Sequence, residues 1–274
     1  MRVTVIGAHG FVGSAFVRYL SQHKNIEVVQ VIRCNYDRMT GTESDVVIEA
    51  ACNSRKYLAE EQPFEEFDLS VAHRLRTLRD FPADLILHIS SVDVYSDLTS
   101  PETTREDSLI DLAKVSHYGF HKLLAEQLVQ HYAKHWLIVR LAGMVGPGLR
   151  KNPVYDILHG QPLRIHPDSQ YQFMSTDDVA CIVWTLVERG IAEEIFNVCG
   201  DGLISPREIA RLAGRRMDPS MLEPGVEPRI VNVSIEKIRQ VIPVPHTHDT
   251  ITQFIGSWLQ SSRKETEEKS EASR

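Results

Sequence analysis

Read from its first residue, the chain opens on a short apolar, β-branched run over residues 2–6 that stops at Gly7. Beyond it, Val12, Phe16 and Leu20 recur at helical spacing, which predicts strand, glycine turn, helix. A second strand is predicted over residues 26–32 and a third over 45–50, with too few residues between them for a full helix and strand. The first half therefore reads as abbreviated. Strand patterns over 85–90, 136–141 and 195–198 alternate with helical patterns near 63–79, 117–135 and 176–189, and this alternation predicts an α/β fold with a doubly wound parallel sheet. The Pro- and Gly-rich stretch 146–153 interrupts the pattern. Residues 1–150 read as the core, and 151–260 as a small mixed cap that returns to the sheet. Residues 261–274, rich in Lys, Glu and Ser with almost nothing to bury, read as a disordered tail.

Composition narrows the classes. With 274 residues, 42% of them hydrophobic and 24% charged, the chain is globular, and its net charge of −7 offers no general attraction to nucleic acid or an anionic membrane. An anionic ligand therefore needs local basic groups. Cys34, Cys52, Cys181 and Cys199 lack C-x-x-C spacing, so reduced thiols are expected rather than a zinc site or a disulfide framework. His246 and His248 alternate in a Pro-containing stretch without further ligands and are read as loop, so no metal is expected. The N-terminus runs straight into a strand, and no apolar run approaches the roughly 20 residues that span a bilayer. A cytoplasmic, soluble protein is expected.

Gly7, Gly10 and Gly13 have G-x-x-G-x-x-G spacing between the first strand and an amphipathic helix. In that context the turn brings backbone amides close to a dinucleotide pyrophosphate, as in Rossmann-type folds, with His9, Phe11 and Val12 completing the turn. Folds that choose NAD place a carboxylate after the second strand to meet the ribose diol, whereas here the strand ends in Arg33. With His9 in the turn and Arg38 nearby, a guanidinium matched to a 2′-phosphate favours NADP(H) over NAD(H).

Together with the glycine turn, Ile89-Ser-Ser-Val-Asp-Val-Tyr95, Tyr118-Gly-Phe-His-Lys122, the 140–148 strand exit and Tyr171-Gln-Phe-Met-Ser-Thr-Asp-Asp-Val179 resemble the extended short-chain dehydrogenases/reductases, the NAD-dependent epimerase/dehydratase family, from Arg2 to about Gly202. Tyr118 and Lys122, four apart, share a helix face, where the ammonium is expected to favour the tyrosinate and fit Tyr118 for proton transfer. The resemblance implies that Ser91 holds the substrate oxygen, with Ser90 the weaker alternative. It also implies that Lys122 contacts the nicotinamide ribose, that Ala50 and Ala51 line the cofactor, and that Leu141 and Ala142 flank the nicotinamide.

The resemblance further implies hydride transfer between the nicotinamide and a sugar-like secondary alcohol or ketone, with a nucleotide sugar as the usual substrate. The family's dehydratases carry an acid where this chain has Val92, which disfavours dehydration. Asp93 is a candidate second acid/base, set against a solvated or capping role. The turn also resembles that of GDP-fucose synthases, NADPH-dependent nucleotide-sugar 4-ketoreductases, which favours reduction. Where the family often has an arginine for the substrate diphosphate, this chain has Tyr171-Gln172-Phe173, leaving Arg150, Lys151, Arg164, Arg207 and Arg229 as substitutes and Asn152 as a pocket residue. Ser70 stands where the family often has Asn. An epimerase with tightly bound NAD(P) and a non-catalytic NADP sensor remain alternatives. Leu124 and Leu128 on the Tyr-Lys helix suggest the family's homodimer or, equally, packing on the sheet.

Overall fold

The computed structural model describes residues 1–53, 55–217 and 225–272, with side chains as far as residue 261. Its centre is a parallel sheet of β1 (Arg2–Ile6), β2 (Glu27–Val31), β3 (Ser44–Glu49), β4 (Ala83–Ser91), β5 (His135–Leu141) and β8 (Glu194–Val198), in the order β2-β1-β3-β4-β5-β8. The apolar runs of β1, β3 and β4 are buried on both faces, as inner strands of a parallel sheet require, while β2 at the edge keeps exposed residues.

Alternation along the strands divides the core. Val3, Val5, Ile48 and Leu87 pack toward α1 (Gly13–Leu20) and α8 (Thr176–Glu188). Ile6, Val47, Ile86 and Ile138 face the other way, toward α2 (Tyr36–Met39), α5 (His73–Asp80) and α6 (His117–Tyr132), with α3 (Lys56–Glu61) and α4 (Pro63–Phe67) preceding α5 in the chain. The abbreviation has a concrete form: only the single-turn α2 separates β2 from β3, and β3 lies directly beside β1. Where sequence periodicity predicts helix over 63–79, a π-helical stretch, Asp68–Ala72, separates α4 from α5 and carries Ser70 inward.

Beyond Leu141 a small parallel pair, β6 (Gly143–Val145) and β7 (Phe173–Ser175), stands apart from the main sheet. Val145, Val154, Ile157, Phe173, Ile209 and Ile251 form a second core with α7 (Pro153–His159), α9 (Pro206–Leu212) and α11 (Thr247–Ala272). The short α10 (Glu236–Arg239) closes against β8. The final helix continues to Ala272, so the segment from residue 261 that composition assigns to a disordered tail is helical that far. Lys, Glu and Ala are good helix formers, and a helix extending one already begun needs no buried face of its own. No helix among the described residues is long and apolar enough to cross a membrane.

Candidate active site

The glycine turn is packed too closely for side chains. Gly7 has φ +81°, and a Cβ on it would stand 2.8 Å from the Ala51 nitrogen. A Cβ on Gly13 would stand 2.2 Å from the Gly7 carbonyl oxygen. The Gly7 and Ala8 amides donate to the Val31 carbonyl at 2.9 and 3.2 Å, which pins the turn to the end of β2. The turn leads into α1, with the Ala50 and Ala51 backbone packed against Gly7. A pyrophosphate fits such a turn, because nothing but backbone meets it. His9 is exposed in the turn, and Arg33 and Arg38 are exposed just past β2. Asn35 shapes that exit, accepting from the Ile32 amide at 2.7 Å and donating to the Gln30 carbonyl at 3.0 Å.

Ser91 ends β4 directly opposite Leu141 of β5. Its hydroxyl donates to Asp93 Oδ2 at 2.8 Å and accepts from the Asp93 amide at 3.2 Å, opening a single 3₁₀ turn over Val92–Val94. Ser116 caps α6 by accepting from the Gly119 amide at 3.2 Å. A Cβ on Gly119 would lie 2.0 Å from the Asp93 carbonyl, so only glycine lets the start of α6 press onto that turn and bring Tyr118 to Ser91. Tyr118 and Lys122 are both buried, with the Lys122 Nζ 5.4 Å from the Tyr118 ring centroid.

The phenol of Tyr118 is held well above its ordinary range, first by burial and then by Cys52, Asp93 and Glu66, with the Ser91 hydrogen bond pulling the other way. The Lys122 ammonium sits over the ring, and burial favours the neutral phenol. Strand alternation separates the two serines. Ser90 points to the opposite side and donates to Glu126, which also holds Arg140 at 2.7 Å.

Asp93 is 8% exposed and lies between Lys56, 2.5 Å away, and Arg229, 3.3 Å away. Burial raises its carboxyl, but Lys56, Arg229 and the Ser91 hydroxyl together bring it below the ordinary carboxylate value of 3.8. A carboxylate so held is an ionised group that anchors the two cations and the Ser91 hydroxyl.

The other predicted substrate contacts divide. Asn152, at φ +134°, uses its amide structurally: the oxygen accepts from the Tyr155 amide at 2.9 Å, capping α7, and the nitrogen donates to the Met144 carbonyl at 2.8 Å. The structure thus places it as a cap rather than as a free pocket group. Gln172, which follows Tyr171 in the family's arginine position, is buried and ties the Gly200 and Val233 carbonyls at 3.0 and 3.1 Å. Arg207 is engaged by Asp168 at 2.6 and 3.1 Å, and Arg164 interacts with Asp156. Burial, then Arg55 and Lys56, lower the Lys151 ammonium.

Arg55 and Lys56 escaped the sequence reading. They follow the exit of β3, and the rule that ligands bind beyond the carboxyl ends of parallel strands marks that position. Behind Tyr118, Glu66 is buried and hydrogen-bonds both Ser70 and His121. Deeper still, Arg74 pairs with Glu49, the ladder partner of His88, and burial holds the His88 imidazole well below 6.5, helped by Arg74 and Lys122.

The model of the NAD dependent epimerase/dehydratase family matches residues 3–199. Low-salt glycan biosynthesis protein Agl12 of Haloferax volcanii is 24% identical over 247 residues, covering 74% of this chain and 78% of that protein. Among solved structures, UDP-glucuronic acid 4-epimerase of Bacillus cereus superposes with TM-score 0.78 at 20% identity, over 95% of this chain and 99% of that one. RMD of Pseudomonas aeruginosa, complexed with NADPH, superposes with TM-score 0.74 at 22% identity, over 93% and 97%. At these identities the structural likeness is one of fold.

Proposed function

The chain belongs to the NAD dependent epimerase/dehydratase family, and from that premise we propose that it is an NADP(H)-dependent reductase of a sugar-like ketone, carried as a nucleotide sugar. The observation that carries this reading is the convergence of Ser91, Tyr118 and Lys122 at the carboxyl end of β4, beside a glycine turn with room only for backbone. Such nucleotide-sugar enzymes are oxidoreductases in their first step. The preference for NADP(H) is supported by Arg33, which has no ion pair among the described residues, and by exposed His9 in the turn. The NADPH complex of RMD shows that the fold accepts this cofactor in that protein.

A bound nicotinamide supplies the hydride at the substrate carbon. The chain supplies the rest. Gly7, Gly10 and Gly13 with His9, Phe11 and Val12 hold the pyrophosphate, Arg33 the 2′-phosphate, and Ala50, Ala51 and Leu141 the adjoining walls. Ser91, steadied by Asp93, holds the carbonyl oxygen. Tyr118, a neutral phenol in a dry site, gives its proton to that oxygen as it becomes an alcohol, and the buried Lys122 ammonium steadies the phenolate left behind. By its position, Asp93 is the candidate second acid/base of an epimerising variant of the reaction.

We also read the face made by α4, α5 and α6 as a homodimer contact, since Phe64, Leu75 and Tyr132 are exposed there and Leu124 and Leu128 are half-buried. Four free cysteines fit a reducing, cytoplasmic setting. The function is tested by mixing the NADPH-loaded chain with a panel of 4-keto sugar nucleotides and following nicotinamide absorbance. Stoichiometric, then catalytic, loss of NADPH supports reduction. A change of sugar configuration without net loss of NADPH replaces it with epimerisation.

A further inference from the structure

The ground around Asp93 carries more positive charge than that carboxylate neutralises. Lys56 and Arg229 hold its two oxygens from segments far apart in sequence, and the Lys56 ammonium stands 5.8 Å from the Tyr118 ring centroid. Arg55 precedes Lys56 in the chain. Lys151, from the loop after β6, lies within electrostatic reach of both. Two cations thus share one carboxylate in a chain whose net charge is −7. Assembling like charges is unfavourable, and an anion that joins them recovers that energy.

Position decides which anion. Asp93 Oδ2 is 2.5 Å from the Lys56 ammonium, and the Ser91 hydroxyl donates to the same oxygen over 2.8 Å. Only one carboxylate oxygen therefore separates Lys56 from the hydroxyl that holds the reacting oxygen. The diphosphate of a nucleotide sugar sits across the sugar ring from such a reacting carbon. A carboxylate on a ring substituent next to the reacting carbon falls beside it. The side chains of Lys56 and Arg229 are 57% and 50% exposed, so their hold on Asp93 is the weak, solvent-screened kind that exchanges readily.

We propose that Lys56 and Arg229 form a carboxylate subsite, and that the substrate is an acidic sugar of the hexuronate type whose carboxylate lies next to the reacting carbon. The assignment rests on the sugar-reductase reading above and deepens it. Asp93 is then the resident counter-ion that keeps the two cations aligned until substrate arrives, and a planar guanidinium paired with an ammonium suits a carboxylate. Arg55 and Lys151 add attraction at longer range.

The test is calorimetric titration of the full, nicotinamide-loaded chain with UDP-glucuronate and UDP-glucose, which share nucleotide and ring and differ in the carboxylate. The expected result is at least tenfold tighter binding of the uronate. In Lys56→Met and Arg229→Met that ratio falls toward one, and in Asp93→Asn, with one competing carboxylate charge fewer, it rises. Nicotinamide affinity serves as the folding control for each variant. Equal binding of the two sugars by the wild type overturns the proposal, as does an equal loss for both sugars in Lys56→Met, which would assign these cations to the diphosphate. If neither nucleotide sugar binds while the nicotinamide does, the nucleotide-sugar reading falls. Free glucuronate against free glucose, followed by NMR line broadening at millimolar concentration, then decides the subsite by itself: selective broadening of glucuronate, lost in Lys56→Met, upholds it, and equal behaviour of the two sugars overturns it.

Discussion

The cofactor side and the substrate side of this site are built by different means. On the cofactor side, one contiguous turn, residues 7–13, presents backbone whose shape depends on the absence of side chains. On the substrate side, Asp93, Lys56 and Arg229 come from separate segments and meet through charge. Tyr118 stands between them, placed by Gly119 against the Asp93 carbonyl. The difference teaches where each half can be broken: the first by volume, the second by charge.

The largest effect is expected where the halves meet. Tyr118→Phe removes the proton donor and nothing that binds cofactor. Turnover is expected to fall about 10³-fold, within the range general acids contribute, while nicotinamide affinity stays within twofold. Steady-state rates alongside fluorescence titration check this, and a Phe variant with near-wild-type rate removes Tyr118 from the chemistry.

A strike on the cofactor half by volume comes next. Gly13→Ala sets a methyl 2.2 Å from the Gly7 carbonyl, so the turn must open. Nicotinamide affinity is expected to fall on the order of 100-fold, about 2.7 kcal/mol. Gly10→Ala, whose Cβ would meet only the Gly7 carbonyl at 3.0 Å, is expected to lose less. Equal losses in the two variants would show that close packing is not what the turn provides.

The smallest effect probes the substrate half by pH. The folded-state carboxyl of Asp93 is depressed, so its ion pairs contribute stability that is fully present above the ordinary value of 3.8 and lost as pH falls through the lower folded value. The melting temperature of the wild type minus that of Asp93→Asn is therefore expected to be flat from neutrality down to about pH 5 and to shrink below about pH 4. A difference that stays constant down to pH 3 contradicts the ion-pair account.

The same contrast explains what was legible in the sequence. The fold and its abbreviated first half follow from apolar runs and their spacing, and the choice of Ser91 over Ser90 follows from the family resemblance. The turn declares itself because its chemistry is backbone, spelled by three glycines within seven residues. Lys56 and Arg229 belong to no periodic pattern, and nothing local announces that the chain brings them onto Asp93. Asn152 shows a related limit: an amide near a pocket looks the same in sequence whether it meets a ligand or ties backbone, and here it ties backbone. The helical end of α11 shows the converse, since a composition too polar for a core still suits a helix.

The central claim is that this is an NADP(H)-handling active site, and nicotinamide fluorescence titration of the purified chain with NADPH and NADH, in wild type and Arg33→Ala, tests it most directly. The account predicts that NADPH binds at least tenfold more tightly than NADH and that Arg33→Ala removes most of that preference while leaving NADH affinity unchanged. A preference for NADH contradicts the cofactor assignment, and the absence of binding by either nicotinamide contradicts the account as a whole.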